Sequence, residues 1–378
     1  MSLRIVLIGP SYPFRGGISH YTTLLYRHLR RKHEVRFLSL TRQYPRWLYP
    51  GQTDRDHSEF TIQEDGTENV LDPSNPLTWW EAIRRARAFR PDLLILPWWV
   101  SFWAPSYAAI VPLVKLGRPT RALFLCHNVT PHEGRRFDRW LARWPLHHGD
   151  LFIVHSSQDE HNLRELLPEA RVRRTFHPTY DVFKRFDMSK EEARRQLGVQ
   201  GDTLLFFGFV RPYKGLRYLI EAMPRILQER DLHLWIVGEF WQDAETYLEQ
   251  IQRLGLQGRV HVMNEYVSNE QVGAYFSAAD AVVLPYTSGT GSGIAQIAFG
   301  YERPIVATAV GDLPEIVIPG ETGYVVPPAA PEALAQAALA IYGRTAEEWQ
   351  ASIRAQRDRF TWDRLVECIE GLTAEGQP

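Results

Sequence analysis

The sequence predicts an α/β protein of two doubly wound domains, each a parallel sheet with helices on both faces. Three observations carry that expectation. Short β-branched runs alternate with amphipathic helical segments from the first residues onward. A proline-bearing stretch of mixed polarity, RRTFHPTYDVFKRFDMS (Arg173–Ser189), interrupts the alternation, which then restarts. At 378 residues the chain exceeds one ordinary core, so two domains of roughly 150 to 200 residues each are expected. The interruption sets the boundaries at 1–178 and 179–357, with about 358–378 as the last segment.

In order, RIVLIG (Arg4 to Gly9) reads as a buried strand, SYPFRGG as a loop and ISHYTTLLYRHLRRK as a helix with Ile18, Tyr21, Leu24, Leu25 and Leu29 on one face. HEVRFLSL is the second strand. From Thr41 to Pro76 prolines, aspartates and glycines predict a long loop or flap. WWEAIRRARAF is a helix, and PDLLILPWW, RALFLCHN and DLFIVHSS are strands. The second series runs TLLFFGFV strand, GLRYLIEAMPRILQER helix, LHLWIVGE strand, AETYLEQIQRLGL helix, RVHVMN strand, NEQVGAYFSAA helix and DAVVLPY strand. RPIVATAV and TGYVVPP follow as strands, then PEALAQAALAIYG as a helix.

Composition is that of a folded globular chain, 44% hydrophobic and 23% charged, and a formal net charge of −1 disfavours nucleic acid as a partner. Charge is uneven: RHLRRKH, RRARAFR and EGRRFDRWLARW make the first half locally basic. Such runs suit solvated helix faces, an anionic membrane surface or an anionic acceptor. The two cysteines, Cys126 and Cys368, have neither metal nor redox spacing, which suits a reducing cytoplasm. The apolar N-terminal run is too short for a signal peptide, and no stretch approaches the ~20 apolar residues of a membrane span. The expected location is the cytoplasm, with peripheral contact at the inner membrane face as an option.

Several predicted strand ends carry polar or glycine-rich turns. Gly16 and Gly17, between a strand and a helix, suit close backbone approach to a diphosphate, although the turn is not GxGxxG. Arg211 and Lys214, in GFVRPYKG, stand at the start of a helix, where cations are not favoured by the dipole, so an anion nearby is expected. LPYTSGTGSGIAQIAFGYERP (Leu284–Pro304) joins a strand to a helix through Thr290, Gly291, Ser292, Gly293 and Ile294, and reads as a phosphate cradle or as a plain surface turn. His127 and Asn128 end a buried strand, with His20, His132, His155 and His177 as weaker candidates of the same kind. Ser268 and Gln271 form a prospective capping box, and the loop Glu265–Tyr266–Val267 before it suits a nucleobase held through backbone groups or, equally, a plain connector. Trp98 and Trp99, in PWWVSFW, and the Trp79–Trp80 pair suit acceptor sugars or lipid, or the core.

Together these segments resemble the nucleotide-sugar glycosyltransferases of the two-Rossmann-domain (GT-B) type, close to the large retaining family 4. The likeness is clearest in GGISHY, FFGFVRPYKGLRYLIEAM, HLWIVGE, RVHVMNEYVSNEQVGAYFSAADAVVLPY and RPIVATAVGDLPEIVIPGETGYVVPP. It implies two Rossmann-like domains facing a cleft and a last helix, within EEWQASIRAQRDRFTWDRLVECIEGL, that returns to the first domain. It implies Gly16, Gly17, Arg211, Lys214, Thr290, Ser292, Gly293 and Ile294 around the donor diphosphate, and His127 beside the donor sugar. Gly238, Glu265, Tyr266, Val267 and Gln296 fall at the base and ribose, and His20, Asn128, Trp98 and Trp99 on the acceptor side. Two departures stand out. Phe209 follows Gly208 where the family has arginine, and the family's two glutamates, seven residues apart, fall here at about Gly289 and Ile297, with only the carboxamide of Gln296 nearby.

The activity implied is retaining transfer of a sugar from a nucleotide-diphosphate sugar to a saccharide or glycolipid acceptor, in polysaccharide or glycolipid assembly. Neither metal nor cofactor is expected: no paired-aspartate motif is visible, and Arg211 and Lys214 can carry the diphosphate charge. The acceptor would attack from the leaving-group face while a phosphate oxygen takes its proton, so no protein nucleophile is needed. Two alternatives stay open: an epimerase or phosphorylase on the same fold, and a chain that binds nucleotide sugar or a partner without turnover.

Overall fold

β-Branched and leucine-rich runs such as RIVLI and AVVL bury both faces, which only a parallel sheet covered by helices on each side provides. In the computed structural model, which describes residues 2–44, 53–129 and 136–375, such runs build two sheets. His132 lies outside the described residues.

The N-terminal unit comprises residues up to His57, Thr61–Phe176 and the chain from Trp362 on. Its strands are β1 (Arg4–Ile8), β2 (Glu34–Leu40), β3 (Thr67–Leu71), β4 (Leu93–Trp98), β5 (Arg121–Cys126), β6 (Leu151–Val154) and β7 (Val172–Arg174). They pair in parallel in the order β3-β2-β1-β4-β5-β6-β7. Helices α1 (Gly17–Leu29), α2 (Pro76–Phe89), α3 (Ala104–Lys115), α4 (Arg136–Leu146) and α5 (Ser157–Leu166) connect them. α2, α3 and α4 pack side by side over one face of the sheet. β3 corrects the sequence reading, in which Thr41–Pro76 is a loop throughout. TENVL is polar and short, as an edge strand can be, and it pairs with β2 through a register shift at Ser39/Leu40.

The C-terminal unit comprises Ser58–Phe60 and His177–Thr361. It holds α6 (Lys190–Leu197), β8 (Asp202–Phe207), α7 (Leu216–Glu229), β9 (Leu232–Val237), α8 (Ala244–Arg253), β10 (Val260–Met263) and α9 (Asn269–Ala278). β11 (Ala281–Leu284), α10 (Gly293–Gly300), β12 (Ile305–Thr308), α11 (Leu313–Ile316), β13 (Gly323–Val326), α12 (Pro331–Ile341) and α13 (Ala346–Gln356) complete it. The parallel order is β10-β9-β8-β11-β12-β13. The last helix, α14 (Trp362–Ala374), belongs to the N-terminal unit and packs on α1 and β6. Among the described residues no helix is long and apolar enough to cross a membrane.

The expected capping box at α9 does not form: the Ser268 carbonyl accepts the N–H groups of Gln271 and Val272, but its hydroxyl accepts no N–H of the helix. The segment Ser58–Phe60 takes that role. Ser58 Oγ accepts from Asn269 N–H at 2.9 Å, Phe60 O accepts from Asn269 Nδ2 at 3.1 Å, and Glu270 accepts the N–H groups of Glu59 and Phe60 at 3.4 and 3.3 Å. Burial pushes the Glu270 carboxyl up, but these N–H groups, its own N–H and the Ser268 hydroxyl hold it below the usual carboxylate range.

Candidate active site

In an open parallel sheet the crevice opens where the strand order reverses, at the carboxyl ends of the two strands involved. In the C-terminal unit these are β8 and β11, and both carry predicted residues. Beyond β8, Gly208 N–H donates to Val237 O at 2.9 Å, and a Cβ on Gly238 would stand 2.2 Å from Gly208 O. Glycine at 238 (φ 146°) therefore lets the ends of β8 and β9 close together. The chain then turns through a 3₁₀ segment, Pro212–Lys214, into α7 by way of Gly215 (φ 66°), whose Cβ would lie 1.9 Å from Pro285 O. Thr287 N–H and hydroxyl both donate to Tyr213 O, at 2.7 and 3.1 Å. The turn bearing Lys214 is thus clamped onto the segment that leaves β11.

The Lys214 ammonium lies over Gly208, 5.3 Å from the Tyr286 ring. Among the described residues no carboxylate or carbonyl accepts a hydrogen bond from it. Desolvation lowers its pKa; Tyr213 opposes that shift and Arg211 adds to it. Arg211 projects over the rings of Tyr213 and Trp241, at 5.0 and 5.2 Å. Phe209, in the place where the resemblance implies arginine, packs on Trp241 at 4.6 Å and on Tyr266 at 6.1 Å, an aromatic wall at the ends of β8, β9 and β10. Next to Tyr266, Glu265 is exposed and Val267 buried.

The turn after β11 ends in Ser292, whose hydroxyl caps α10 by accepting Ala295 N–H at 3.3 Å and lies 3.1 Å from Tyr286 OH. With that hydroxyl occupied, the N–H groups of Gly293 and Ile294 are what the helix start presents. The Ile294 side chain reaches over Gly208 toward Lys214. Thr290 O accepts Asp312 N–H at 2.9 Å, and a Cβ on Gly291 would lie 3.0 Å from Asp312 Oδ2. A buried carboxylate therefore stands beside the turn. Sequence reasoning missed it, because Asp312 reaches the turn only through the pairing of β12 with β11. Gln296 is separate from this group. It is fully buried, two residues from Ile294 and so on the opposite side of α10, sharing a face with Gly293 and Phe299, which meet Tyr180 and Phe360. Neither polar atom of its amide has a partner among the described residues. Gln296, expected at the ribose, is thus an interior residue of the C-terminal unit whose amide is left open.

In the N-terminal unit, Gly16 (φ 111°) caps α1 without a side chain, and no atom lies within 4 Å of where its Cβ would be. Gly17 begins the helix, exposed. His127, past the end of β5, donates its N–H to Trp98 O at 2.8 Å and meets the Tyr21 ring edge-on at 4.4 Å. His155 Nδ1 lies 2.9 Å from Thr175 O; a carbonyl only accepts, so the proton sits on Nδ1, and Nε2 accepts from Tyr21 OH at 3.1 Å. Burial pushes His155 down to about 4, the carbonyl bond opposing, so it is neutral at pH 7. Beyond His127 the chain is held by Asp159, missed in the sequence, whose Oδ1 accepts Val129 N–H at 3.0 Å and whose Oδ2 accepts Ser156 OH at 2.9 Å. Asn128 Oδ1 is buried without a partner among the described residues.

His20 stacks on Tyr12, with Nε2 3.8 Å from Asp56. Trp98 departs from its acceptor-side placement: it is buried, with its indole donating to Val129 O at 3.2 Å, and is a core residue. Trp99 is half-buried, donating to Tyr44 OH at 3.0 Å. His177 belongs to the C-terminal unit, near Pro178 O and Tyr180.

Comparison with known proteins bears on the family and the fold. Residues 15–177 match the model of Glycosyltransferase Family 4, and residues 201–344 that of Glycosyl transferases group 1. An uncharacterized glycosyltransferase of Methanocaldococcus jannaschii is 30% identical over 53% of this chain and 53% of its own. The D-inositol 3-phosphate glycosyltransferase of Corynebacterium glutamicum is 32% identical over 40% of this chain and 38% of its own, so the matches span roughly half or less of these relatives. Among solved structures, Anabaena HepE in complex with UDP-glucose superposes with a TM-score of 0.73 at 16% identity, covering 98% of this chain and 99% of that one. With both of its halves matched and the fold shared end to end, the chain belongs to the group 1 and family 4 glycosyltransferases of the GT-B fold.

Proposed function

We propose that the chain transfers a glycosyl group from a nucleotide-diphosphate sugar to a saccharide or lipid-linked acceptor, with retention at the anomeric carbon and no metal or other cofactor. The observation that carries this reading is Lys214: a partly buried ammonium, without a described acceptor, on a turn clamped at the strand-order reversal of the C-terminal unit. Such a group is costly alone and is stabilised by a bound anion. A diphosphate placed against Lys214, Arg211 and the N–H groups of Gly293 and Ile294 meets two cations and a helix start, which together offset the charge of a departing nucleoside diphosphate. The wall of Phe209, Trp241 and Tyr266 offers stacking area for a base, with Gly238 keeping the strand ends low beneath it.

The chemistry follows from that charge. As the anomeric C–O bond breaks, the electron pair passes to the diphosphate, and the acceptor oxygen bonds to the same face of the sugar while its proton goes to a diphosphate oxygen. For the N-terminal unit the proposal takes over from the resemblance the roles of His127 (donor sugar), Gly16 and Gly17 (diphosphate) and His20, Asn128 and Trp99 (acceptor). The solved relative with UDP-glucose makes uridine sugars the first donors to test. Both cysteines are free thiols, which accords with a cytoplasmic site of action.

Calorimetry and thermal shift with UDP, GDP, ADP and their common sugars, in EDTA, test the reading. One nucleotide should bind, and Lys214→Ala should weaken it by about a hundredfold. Binding that requires added metal, or that survives Lys214→Ala unchanged, refutes it.

A further inference from the structure

Among the described residues the exposed large apolar side chains are not scattered. Leu77 and Trp80 on α2, Leu113 and Leu116 at the end of α3, and Trp140 and Trp144 on α4 lie on the three helices that share one face of the N-terminal sheet; the remaining one is Leu248. Leu77 is 80% exposed, Trp80 63% and Trp140 59%, far more than a tryptophan or leucine at the margin of a core shows. Trp140 and Trp144 stack on each other at 6.0 Å with both rings toward solvent. Exposed apolar side chains distributed over one helical face, with one stacked tryptophan pair among them, mark a surface that is covered in use.

Charge identifies the cover. Residues 76–90, 104–118 and 136–148 carry nine arginines and lysines against two carboxylates of their own, Glu81 and Asp138, in a chain whose formal net charge is −1, while Glu68, Asp150 and Glu165 beside them pair with Arg85, Lys115 and Arg139. Glu81 is already taken by Arg84 and Arg85. Arg87 and Arg118 bond to backbone carbonyls, of α3 and α2 respectively, which leaves their charge in place. Arg90 and Arg143 are exposed, with no described carboxylate partner. A second copy of this chain presenting the same face would set like charges against each other. Tryptophan and leucine flanked by arginine match the headgroup boundary of an anionic bilayer, where rings enter the interface and guanidinium groups pair with lipid phosphates.

We propose that the α2–α3–α4 face of the N-terminal unit docks on anionic lipid bilayers. Insofar as it selects a lipid-linked acceptor this rests on the glycosyltransferase reading, while the docking itself does not. Flotation of the purified chain with phosphatidylcholine vesicles, with and without phosphatidylglycerol, tests it. The folded protein should float only with the anionic vesicles and be released by salt. Trp140→Ser/Trp144→Ser and Arg90→Glu/Arg143→Glu should each lower the bound fraction about tenfold, with melting midpoints and nucleotide affinity unchanged. No flotation with anionic vesicles, or flotation indifferent to both double substitutions, overturns the proposal. So does a dimer in light scattering that Trp140→Ser/Trp144→Ser dissociates, which would make the face a self-contact. Nucleotide affinity is read separately, so failure of the donor reading and failure of membrane docking are distinguishable.

Discussion

The two units share an architecture and differ in the polar groups that stand at their strand ends, a bonded histidine and carboxylate in one and a lysine ammonium in the other. In the N-terminal unit His155, Tyr21 and Thr175 form a closed chain of hydrogen bonds, and Asp159 is bonded to Val129 and Ser156. In the C-terminal unit Lys214 is clamped by its backbone, yet its charge has no described acceptor. Polar groups satisfied within the fold contribute to stability; a partly desolvated cation without a carboxylate partner is stabilised when an anion arrives. The N-terminal cluster reads as a scaffold for His127, and Lys214 as the group awaiting a ligand.

The sharpest break of this contrast is Lys214→Ala. We expect turnover to fall by about 10²- to 10³-fold while the unliganded protein melts at the same or a higher temperature, since an uncompensated charge is removed. A lower midpoint with normal turnover would reverse the assignment. Second in size is the acid response of the N-terminal unit. His155 is held at about 4 against 6.5, so its stabilising contribution is complete above pH 6.5 and is lost as pH falls through about 4, because the unfolded chain takes up the proton first. Its full extent is about 3 kcal/mol, and denaturant titrations from pH 7 to 4 should show a loss of that order which His155→Phe flattens.

Asp159→Ala sharpens the scaffold side. It leaves Val129 N–H and the Ser156 hydroxyl without their acceptor, so a stability loss of about 2 kcal/mol is expected, with a fall in turnover and unchanged nucleotide affinity. Weaker nucleotide binding in this variant would contradict the division between the units. The smallest effect belongs to Arg211→Ala, about tenfold in nucleotide affinity: its guanidinium is exposed and rests on Tyr213 and Trp241 before any ligand binds.

Much of the fold was legible because its signals are local. Runs such as RIVLI and LHLWIV announce buried parallel strands, and Gly208, Gly238 and Gly215 mark turns that only glycine allows. β3 was not legible, since an edge strand needs no apolar alternation and TENVL has none. The capping box at Ser268 was a sound local signal overridden by Ser58–Phe60, over 200 residues earlier in the chain. Trp98 and Gln296 were placed at ligand surfaces by their position beside site residues, but side chains alternate across a strand and rotate about a helix, and both turn inward.

By itself the sequence determined the order of strands and helices, the glycine turns and the presence of Arg211 and Lys214 at a strand end, because backbone propensity and hydrophobic period act over a few residues. Tertiary structure decided what those residues meet. Pairing β8 with β11 brings Lys214 against Tyr286, pairing β12 with β11 delivers Asp312 to the turn, and packing α2, α3 and α4 side by side gathers six exposed apolar side chains onto one face. Charge, desolvation and surface patches depend on distances across the fold, and these are set only when the strands register.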